Sequence, residues 1–358
     1  MAPLLTVIIP TRNEAEHLPA LLADLRRQQG VTLEIIVADG GSRDATLAVA
    51  ASFGVHSLST RPGRGTQMNA ATEKATSDTL LFLHADSRLH PPDLLHRALQ
   101  ALNAARQEGT EIAGHFPLRF IRTTAGNNLA YRYLEAKSAL NRVNTTNGDQ
   151  GFLLRREFFH QLGGFAEDLP FLEDQGLAEK IRAQGRWITL PGELQTSARR
   201  FESEGFHRRY ILMSLMMGLY SIGEKGFFLR APGVYKLQEA TGKLCLSPFF
   251  RLGRTLISEW GVAGTTRIFY RLGRYIRPNS WQLFFFLDVC FRPLLGRGRT
   301  PFLTFHDQIF APLTNFRFFD GLTGLLCFIW FVGILPAFFW LIEPFNSPSL
   351  DGRGPGGG

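Results

Sequence analysis

Three acidic clusters, each following an apolar run, carry the chemistry-bearing residues of this chain. They are EIIVADGGSRD ending at Asp44, LLFLHAD ending at Asp86, and GGFAEDLPFLED ending at Asp174. Carboxylates at the carboxyl ends of buried strands collect on one rim of an open α/β sheet, where such sheets hold their ligand crevice. A metal-bound diphosphate and a general base are the chemistry that such a rim suits.

Each cluster has polar companions with two readings. Thr11, Arg12, Asn13 and Glu14 follow the first apolar run in PTRNEAEH. They either contact a nucleoside or start a helix, with Asn13 and Glu16 spaced as a capping box. The loop has no GxGxxG triad, which weighs against a dinucleotide-dependent dehydrogenase. Asp39 precedes GGS and either accepts a hydrogen bond from a base or ribose or holds a tight turn, with Asp44 capping the next helix. A Mg²⁺ or Mn²⁺ ion needs few protein oxygens when a diphosphate supplies the rest, so Asp86 is the expected metal ligand. His84 beside it either touches metal or phosphate or is structural.

Arg64, Gln67 and Asn69 in RPGRGTQMNAA stand where they reach a phosphate, although the stretch lacks the GKS ending of a P-loop. Asn147, Gly148, Asp149 and Gln150 form a polar patch ahead of an apolar strand, either a binding site for sugar or acceptor or a plain turn. Glu173 and Asp174 precede a helix, whose N-terminus favours their charge; one of them is the expected general base, a role compatible with capping. Arg199 and Arg200 in TSARRFE suit a leaving diphosphate, or else a basic patch facing a membrane.

The elements that must position these groups alternate. Leu5–Ile9 reads as a strand, Leu18, Leu21, Leu22 and Leu25 fall at helical spacing, and Glu34–Ala38 reads as the second strand. Further strands are expected at 55–58, 79–84, 112–121, 151–155 and 187–190, and helices at 44–53, 67–75, 93–107, 127–140, 156–162 and 175–184. Strands alternating with helices imply right-handed crossovers and a mostly parallel, doubly wound sheet.

With these motifs in place the chain resembles a family 2 glycosyltransferase of the GT-A fold. IIPTRNE, VADGGSRDAT, GRGTQMNAA, LLFLHADS, NGDQGFLLRR, LGGF, LPFLED and TSARRFESEG occur in the family's order, from about Leu5 to about Tyr220. LHAD, GDQ, LPFLED and ARR are similar to the subgroup that makes selenosugars or arsenosugars. The resemblance implies a nucleotide-diphospho-sugar transferase domain using a UDP-sugar and a divalent cation. It implies Pro10, Thr11, Glu14 and Asp39 near the uridine, Asp86 on the metal, Asp174 as the base of an inverting displacement, and Arg199 and Arg200 toward the diphosphate. Most relatives carry Asp where His84 stands, as the first member of a DxD pair; the narrower subgroup shares the histidine. Phe201 stands where that subgroup usually has Trp.

Composition adds a second region. The formal charge is +8, with 20 Lys and Arg against 21 Asp and Glu over residues 1–198 but 18 against 8 over 199–320. The basic residues are interleaved with aromatic ones, as in RIFYRLGRYIRP, which is too apolar for a solvated nucleic-acid groove and fits a membrane surface. Residues 322–342 form a run of 21 without a charge, near the roughly 20 that cross a bilayer core. Pro336 marks a kink within it. The expected organisation is a catalytic domain over 1–220, a basic aromatic interface region over 221–319, a membrane helix over 320–343 and a disordered Gly-rich tail over 344–358.

Arg292, Arg297, Arg299 and Arg317 ahead of the span set that side in the cytoplasm, at the inner membrane. Three cysteines, Cys245, Cys290 and Cys327, have no metal spacing and fit a reducing compartment. A lipid such as a polyprenyl phosphate or carotenoid is the alternative acceptor to selenophosphate. A membrane-anchored nucleotide-binding scaffold without catalysis is the alternative from another class.

Overall fold

The first apolar run is a strand, β1 (Leu5–Thr11), and its side chains divide by parity between two cores. Leu5, Val7 and Ile9 pack with α1 (Leu18–Arg26), α2 (Thr46–Ser52) and α4 (Leu94–Arg106). Ile8 packs on the other side with α3 (Arg64–Thr72), α6 (Arg156–Gln161) and α7 (Glu173–Gln184). A strand covered on both faces must be apolar throughout, which is why β1 shows no polar alternation. Burying each such Leu or Ile contributes about 1.5–3 kcal/mol.

The computed structural model describes residues 5–106, 110–169, 171–236, 244–296 and 298–343. The tail expected over 344–358 lies outside the described residues. The chain divides into two units, 1–198 and 199–358, so the division precedes the boundary expected at 220.

In the first unit β1 is joined by β2 (Leu33–Asp39), β3 (His56–Ser59), β4 (Thr79–Phe82), β6 (Ile112–His115), β8 (Phe152–Arg155) and β9 (Arg186–Thr189). The order across the sheet is β3-β2-β1-β4-β8-β6-β9. The α/β expectation holds with one reversal: β8 runs antiparallel to both β4 and β6. The reversal has a consequence for the rim. Phe152, the first residue of β8, pairs with Phe82, the last of β4, so the loop that enters β8 lies where the loop after β4 begins.

The single strand expected over 112–121 is two, because Pro117 has no N–H for a ladder. Its second half, β7 (Leu118–Ile121), belongs to a three-stranded sheet with β5 (Ser87–His90) and β10 (Glu193–Ser197), neither of which is apparent from the sequence pattern. The helix α5 (Asn128–Ser138) packs on β7. Buried Asp24 on α1 anchors β5: Arg88 donates to it at 2.5 and 3.1 Å and the Leu89 N–H at 3.2 Å.

The second unit is helical: α8 (Arg199–Glu204), α9 (Phe206–Ser221), α10 (Lys225–Lys236), α11 (Ser247–Ile276), α12 (Trp281–Cys290), α13 (Arg292–Leu295), α14 (Pro301–Phe305), α15 (Ala311–Thr314), α16 (Arg317–Phe328) and α17 (Leu335–Ile342). α11 bends at Gly261, where φ is 62°. α11 and α16 cross in backbone contact at two glycines. A Cβ on Gly273 would lie 2.0 Å from the Asp320 carbonyl oxygen, and one on Gly324 would lie 2.4 Å from that of Phe269. Arg277 Nε donates to Asp320 Oδ1 at 2.6 Å beside this crossing.

Arg317–Ile342 is one continuous helical path, long and apolar enough to cross a membrane by length and composition. At 1.5 Å per residue its 26 residues reach about 39 Å. A π-helical stretch, Ile329–Ile334, interrupts it just ahead of Pro336. The proline offers no N–H to the carbonyl four residues earlier, and the widened turn accommodates that loss. Leu325, Phe338, Trp340 and Leu341 along this path are exposed.

Candidate functional site

The rim is built by four loops of the first unit and the start of α7. After β1, Asn13 takes a left-handed conformation (φ 56°) and its loop is stitched to the one after β2. The Asn13 N–H donates to Ser42 Oγ at 2.8 Å, and the Arg43 N–H donates to Asn13 Oδ1 at 2.8 Å. The Glu14 N–H donates to Thr46 Oγ1 at 2.9 Å, and the Ala15 N–H to Asp44 Oδ2 at 3.0 Å. These bonds replace the capping box expected of Asn13 and Glu16, since α1 begins only at Leu18. Asp44 also accepts from the Thr46 N–H at 3.0 Å, and these bonds hold its carboxyl below the usual range, that from Thr46 Oγ1 foremost.

Asp39 is buried (1% exposed) at the end of β2. Its carboxylate accepts from Ser42 Oγ and from the Gly41 and Ser42 N–H groups at 2.5–3.0 Å, with Thr11 Oγ1 at 3.3 Å. The turn reading of Asp39 therefore describes most of its bonds. Gln67 joins the strand ends from the other side, donating through Nε2 to the carbonyls of Thr11 and Ala38 at 2.8 and 2.7 Å. Pro10 and Thr11 are buried at the end of β1, and Glu14 is half-buried beside them.

Asn69, expected at a phosphate, holds the turn after α6 instead. Its side chain donates to the Phe165 carbonyl and Glu167 Oε1 and accepts from the Phe165 N–H, at 2.9–3.0 Å. Gln150, expected at the sugar or acceptor, is fully buried. It donates to His115 Nδ1 and to the carbonyls of Ser138 and Phe116, and its Oε1 accepts the Asn147 N–H at 2.8 Å. It shapes the loop from beneath. Burial lowers the His115 pKa, and its Nε2 meets Asn141 Oδ1 at 2.5 Å.

The remaining groups meet. His84, just after β4, is paired with Asp149 across the rim, Nδ1 to Oδ1 at 2.7 Å. The Gly148 N–H donates to Asp174 Oδ2 at 2.6 Å, and the Gln175 N–H donates to Asp174 Oδ1 at 2.9 Å. Gly148 is thus wedged between two side chains: a Cβ there would lie 3.1 Å from His84 Nε2 and 3.2 Å from Asp174 Oδ2. Beside them Arg64 Nε reaches Glu173 Oε1 at 2.7 Å. Glu173 is buried, so the two acids of LPFLED differ: Glu173 is held on an arginine and Asp174 is half-buried at the rim. Leu172 before them is left-handed (φ 64°), a strained conformation for a leucine that turns the chain into α7.

Electrostatics bind this cluster together. Burial pushes the Glu173 carboxyl above its ordinary range, Arg64 opposes the rise and Asp174 adds to it. Burial disfavours the charge on Arg64, but Glu173, Asp174 and Asp149 outweigh it and raise its pKa. Burial likewise works against protonated His84, and the bond to Asp149 more than restores it, with Asp86 acting in the same sense. Asp86 is half-buried at the end of the same turn. Among the described residues no group of three or more His, Cys, Asp or Glu side chains is placed to hold a metal ion unaided. Arg199 and Arg200 open α8 in the second unit, Arg199 half-buried and Arg200 exposed.

Two features of the site have no signal in the sequence pattern. The Gly148–Asp174 bond joins residues 26 apart, and the Arg64–Glu173 pair residues 109 apart. The glycine in NGDQG was a cue only to a turn.

Residues 6–163 match the family model Glycosyl transferase family 2. Over that stretch, a little under half of its length, the chain is similar to family 2 glycosyltransferases. It is similar to a PGL/p-HBAD biosynthesis glycosyltransferase of Mycobacterium tuberculosis, 39% identical over 104 residues, which are 27% of this chain and 40% of that protein. An uncharacterized glycosyltransferase of Rickettsia conorii is 27% identical over 192 residues, 50% of this chain and 31% of its own. The chain thus covers two fifths or less of the length of these curated relatives.

Among solved structures it is similar to a mannosyltransferase from Pyrobaculum calidifontis in complex with GDP-Man and Mn²⁺. That match has 17% identity and a TM-score of 0.46, over 94% of this chain and 88% of that one. S. aureus TarS 1–349 in complex with UDP-GlcNAc matches at 14% identity and a TM-score of 0.43, over 80% and 88%.

Proposed function

We propose that the protein is an inverting glycosyltransferase that moves a sugar from a UDP-sugar to a nucleophilic acceptor. One observation carries the reading: Asp174, fixed by the Gly148 N–H at 2.6 Å, stands at the same rim as His84 and Asp149, in a unit whose residues 6–163 match the family 2 glycosyltransferase model. Asp174 takes the proton of the acceptor as its nucleophilic atom bonds to the anomeric carbon, and the bond from that carbon to the diphosphate oxygen breaks. One displacement at carbon inverts it, and no covalent enzyme intermediate is needed. Glu173, tied to Arg64, positions Asp174 and the start of α7.

A Mg²⁺ or Mn²⁺ ion would neutralise the leaving diphosphate. The residues present fit such an ion: Asp86 offers a hard oxygen, and a cation that takes one or two protein oxygens beside a diphosphate requires no cluster of three side chains. Pro10, Thr11, Glu14 and Asp39 are assigned to the uridine side, Asn147, Gly148 and Asp149 to the sugar or acceptor, and Arg199 and Arg200 to the diphosphate.

For the acceptor we assign selenophosphate, to give a selenosugar, on the strength of the LHAD, GDQ, LPFLED and ARR motifs. A lipid acceptor is the second reading, favoured by the apolar path Arg317–Ile342. In either case we place the protein at the inner membrane with its catalytic unit in the cytoplasm. Incubating the purified protein with several UDP-sugars, against selenophosphate and against a membrane lipid extract, and weighing the products by mass spectrometry, separates the two. Asp174→Asn should retain UDP-sugar binding and lose turnover by at least about hundredfold. Normal turnover in that variant would exclude Asp174 as the base.

A further inference from the structure

The apolar path Arg317–Ile342 is bound to a charged helix along its whole length. One stripe of it, from Asp320 through Gly324, Cys327, Leu335 and Phe339 to Glu343 just beyond, is buried. This stripe runs antiparallel to α11, which packs on α16, on the π-helical stretch and on α17. At one end Gly273 packs on the Asp320 carbonyl, and the Phe269 and Phe328 rings lie 5.1 Å apart. At the other the Phe250 and Phe339 rings lie 6.0 Å apart, and the Leu246 and Ser247 N–H groups donate to Glu343 at 2.9 Å.

Any depth in a bilayer that the path reaches is therefore reached by α11 as well. Between the two ends α11 carries Arg254, Glu259 and Arg267, all exposed. Its helix is also broken there, at Gly261, beside Val262, which is 88% exposed. Charged side chains are strongly unfavourable in hydrocarbon, and an exposed helix break leaves backbone groups there without partners. A crossing would carry all of these into the bilayer.

The other stripe of the path is apolar and exposed: Leu322, Leu325, Ile329, Ile334, Phe338 and Leu341. Residues three and four apart share a helix face. The one step of five, from Ile329 to Ile334, falls in the π-helical stretch, whose wider turn keeps the two halves of the stripe in line.

We propose that this stripe lies in the plane of an anionic lipid bilayer surface, seated in one leaflet, so that the path docks on the membrane and does not cross it. The in-plane placement takes the place of the crossing expected over 320–343. Amphipathic helices bind in this way through an apolar face with cationic groups beside it. Residues 199–320 carry 18 Lys and Arg against 8 Asp and Glu, and Arg254, Arg267, Arg274 and Arg317 are exposed. A second copy of the chain would set like charge against like charge, whereas anionic headgroups complement it. The proposal rests on the placement of the protein at a membrane and is independent of the transfer reaction.

The test uses the full-length protein and preformed vesicles of phosphatidylglycerol and phosphatidylethanolamine, with no substrate present. Asn315→Cys and Ser347→Cys place one thiol before the path and one beyond it. A membrane-impermeant maleimide added outside should label both completely in vesicle-bound protein without lysis, as read by mass spectrometry of the peptides. In flotation, Leu325→Ser with Phe338→Ser should weaken vesicle binding at least about tenfold. Arg317→Gln should weaken it about fivefold on these vesicles and by no more than about twofold on phosphatidylcholine.

A thiol that reacts only after lysis would establish a crossing and overturn the proposal. So would protein that fails to float with the anionic vesicles, or a dimer in solution that Leu325→Ser with Phe338→Ser breaks while vesicle binding is unchanged. These substitutions alter exposed side chains, and the two cysteine variants leave the stripe intact, so the labelling result stands should the serine variant fail to fold.

Discussion

Gly148→Ala puts the central geometric claim at risk, that the approach of the β8 entry loop to both His84 and Asp174 sets the reacting groups. A methyl at 148 would stand 3.1 Å from His84 Nε2, 3.2 Å from Asp174 Oδ2 and 3.3 Å from Asp174 Cβ. Ordinary contact begins at 3.4 Å, so each neighbour must yield by about 0.1–0.3 Å in an interior that packs closely. Asp174 cannot simply slide, because its Oδ2 is bound to the Gly148 N–H at 2.6 Å and its Oδ1 to that of Gln175. It rotates instead, and the lone pair facing the acceptor turns with it.

A misplacement of about 1 Å reduces rate up to about hundredfold, so a shift of about 0.3 Å with rotation corresponds to a fall of about four- to tenfold in kcat. The stability loss should stay near 1 kcal/mol, since the overlap is one methyl against side chains. The assay is release of nucleoside diphosphate at saturating UDP-sugar, with donor affinity by calorimetry and thermal unfolding in parallel. The expected result is reduced kcat with donor affinity within about twofold of the original. Full turnover in a folded Gly148→Ala protein would refute the reasoning. So would a loss of activity that follows donor affinity alone, because the crowding would then act on binding.

Asp24→Asn should destabilise the first unit by about 2–3 kcal/mol, since Arg88 loses a buried carboxylate partner; hydrogen exchange of β5 reads it. Burial alone would raise the Asp24 carboxyl, but Arg88 and the Leu89 N–H hold it below the usual range. The contribution is therefore complete above about pH 4, the unfolded value, and lost as pH falls through the lower folded value. The gap between original and variant should close on acidification, and a gap that widens there contradicts the pairing. Gly273→Ala places a methyl 2.0 Å from the Asp320 carbonyl oxygen. Backbone on both sides leaves no rotamer to absorb it, so α16 should separate from α11 at about 3 kcal/mol or more, seen as faster exchange of both helices. Unchanged exchange would remove the crossing.

The rim that gathers these polar groups was legible because strand ends announce themselves. VADGG and LLFLHAD are apolar runs that stop on ligand-type residues, and a β strand buried on both faces can be apolar throughout only if helices cover it. Residues whose side chains serve the loops from within were misread from type alone. Asn69 and Gln150 look like ligand groups on paper, and the fold turns their amides onto Phe165, Ser138 and His115. An amide beside glycines reads the same whether it faces a crevice or the backbone beneath it. Likewise Asn13 and Glu16 have the spacing of a capping box, and only the neighbouring loop, 30 residues on, shows why Asn13 is bound to Arg43 instead.

The order of elements, the covered β1, the basic aromatic second half and the uncharged run over 322–342 follow from periodicity and composition, which are local properties. The sense of β8 does not. A four-residue apolar strand fits a parallel or an antiparallel ladder equally well, and its direction depends on pairing with β4 and β6, whose paired residues are 70–76 and 37–41 positions away. That direction brings Gly148 and Asp149 to the rim that His84 and Asp86 already occupy. Which of two adjacent acids is held on Arg64 and which is open at the rim was decided there as well, by contacts between segments that only the tertiary structure brings together.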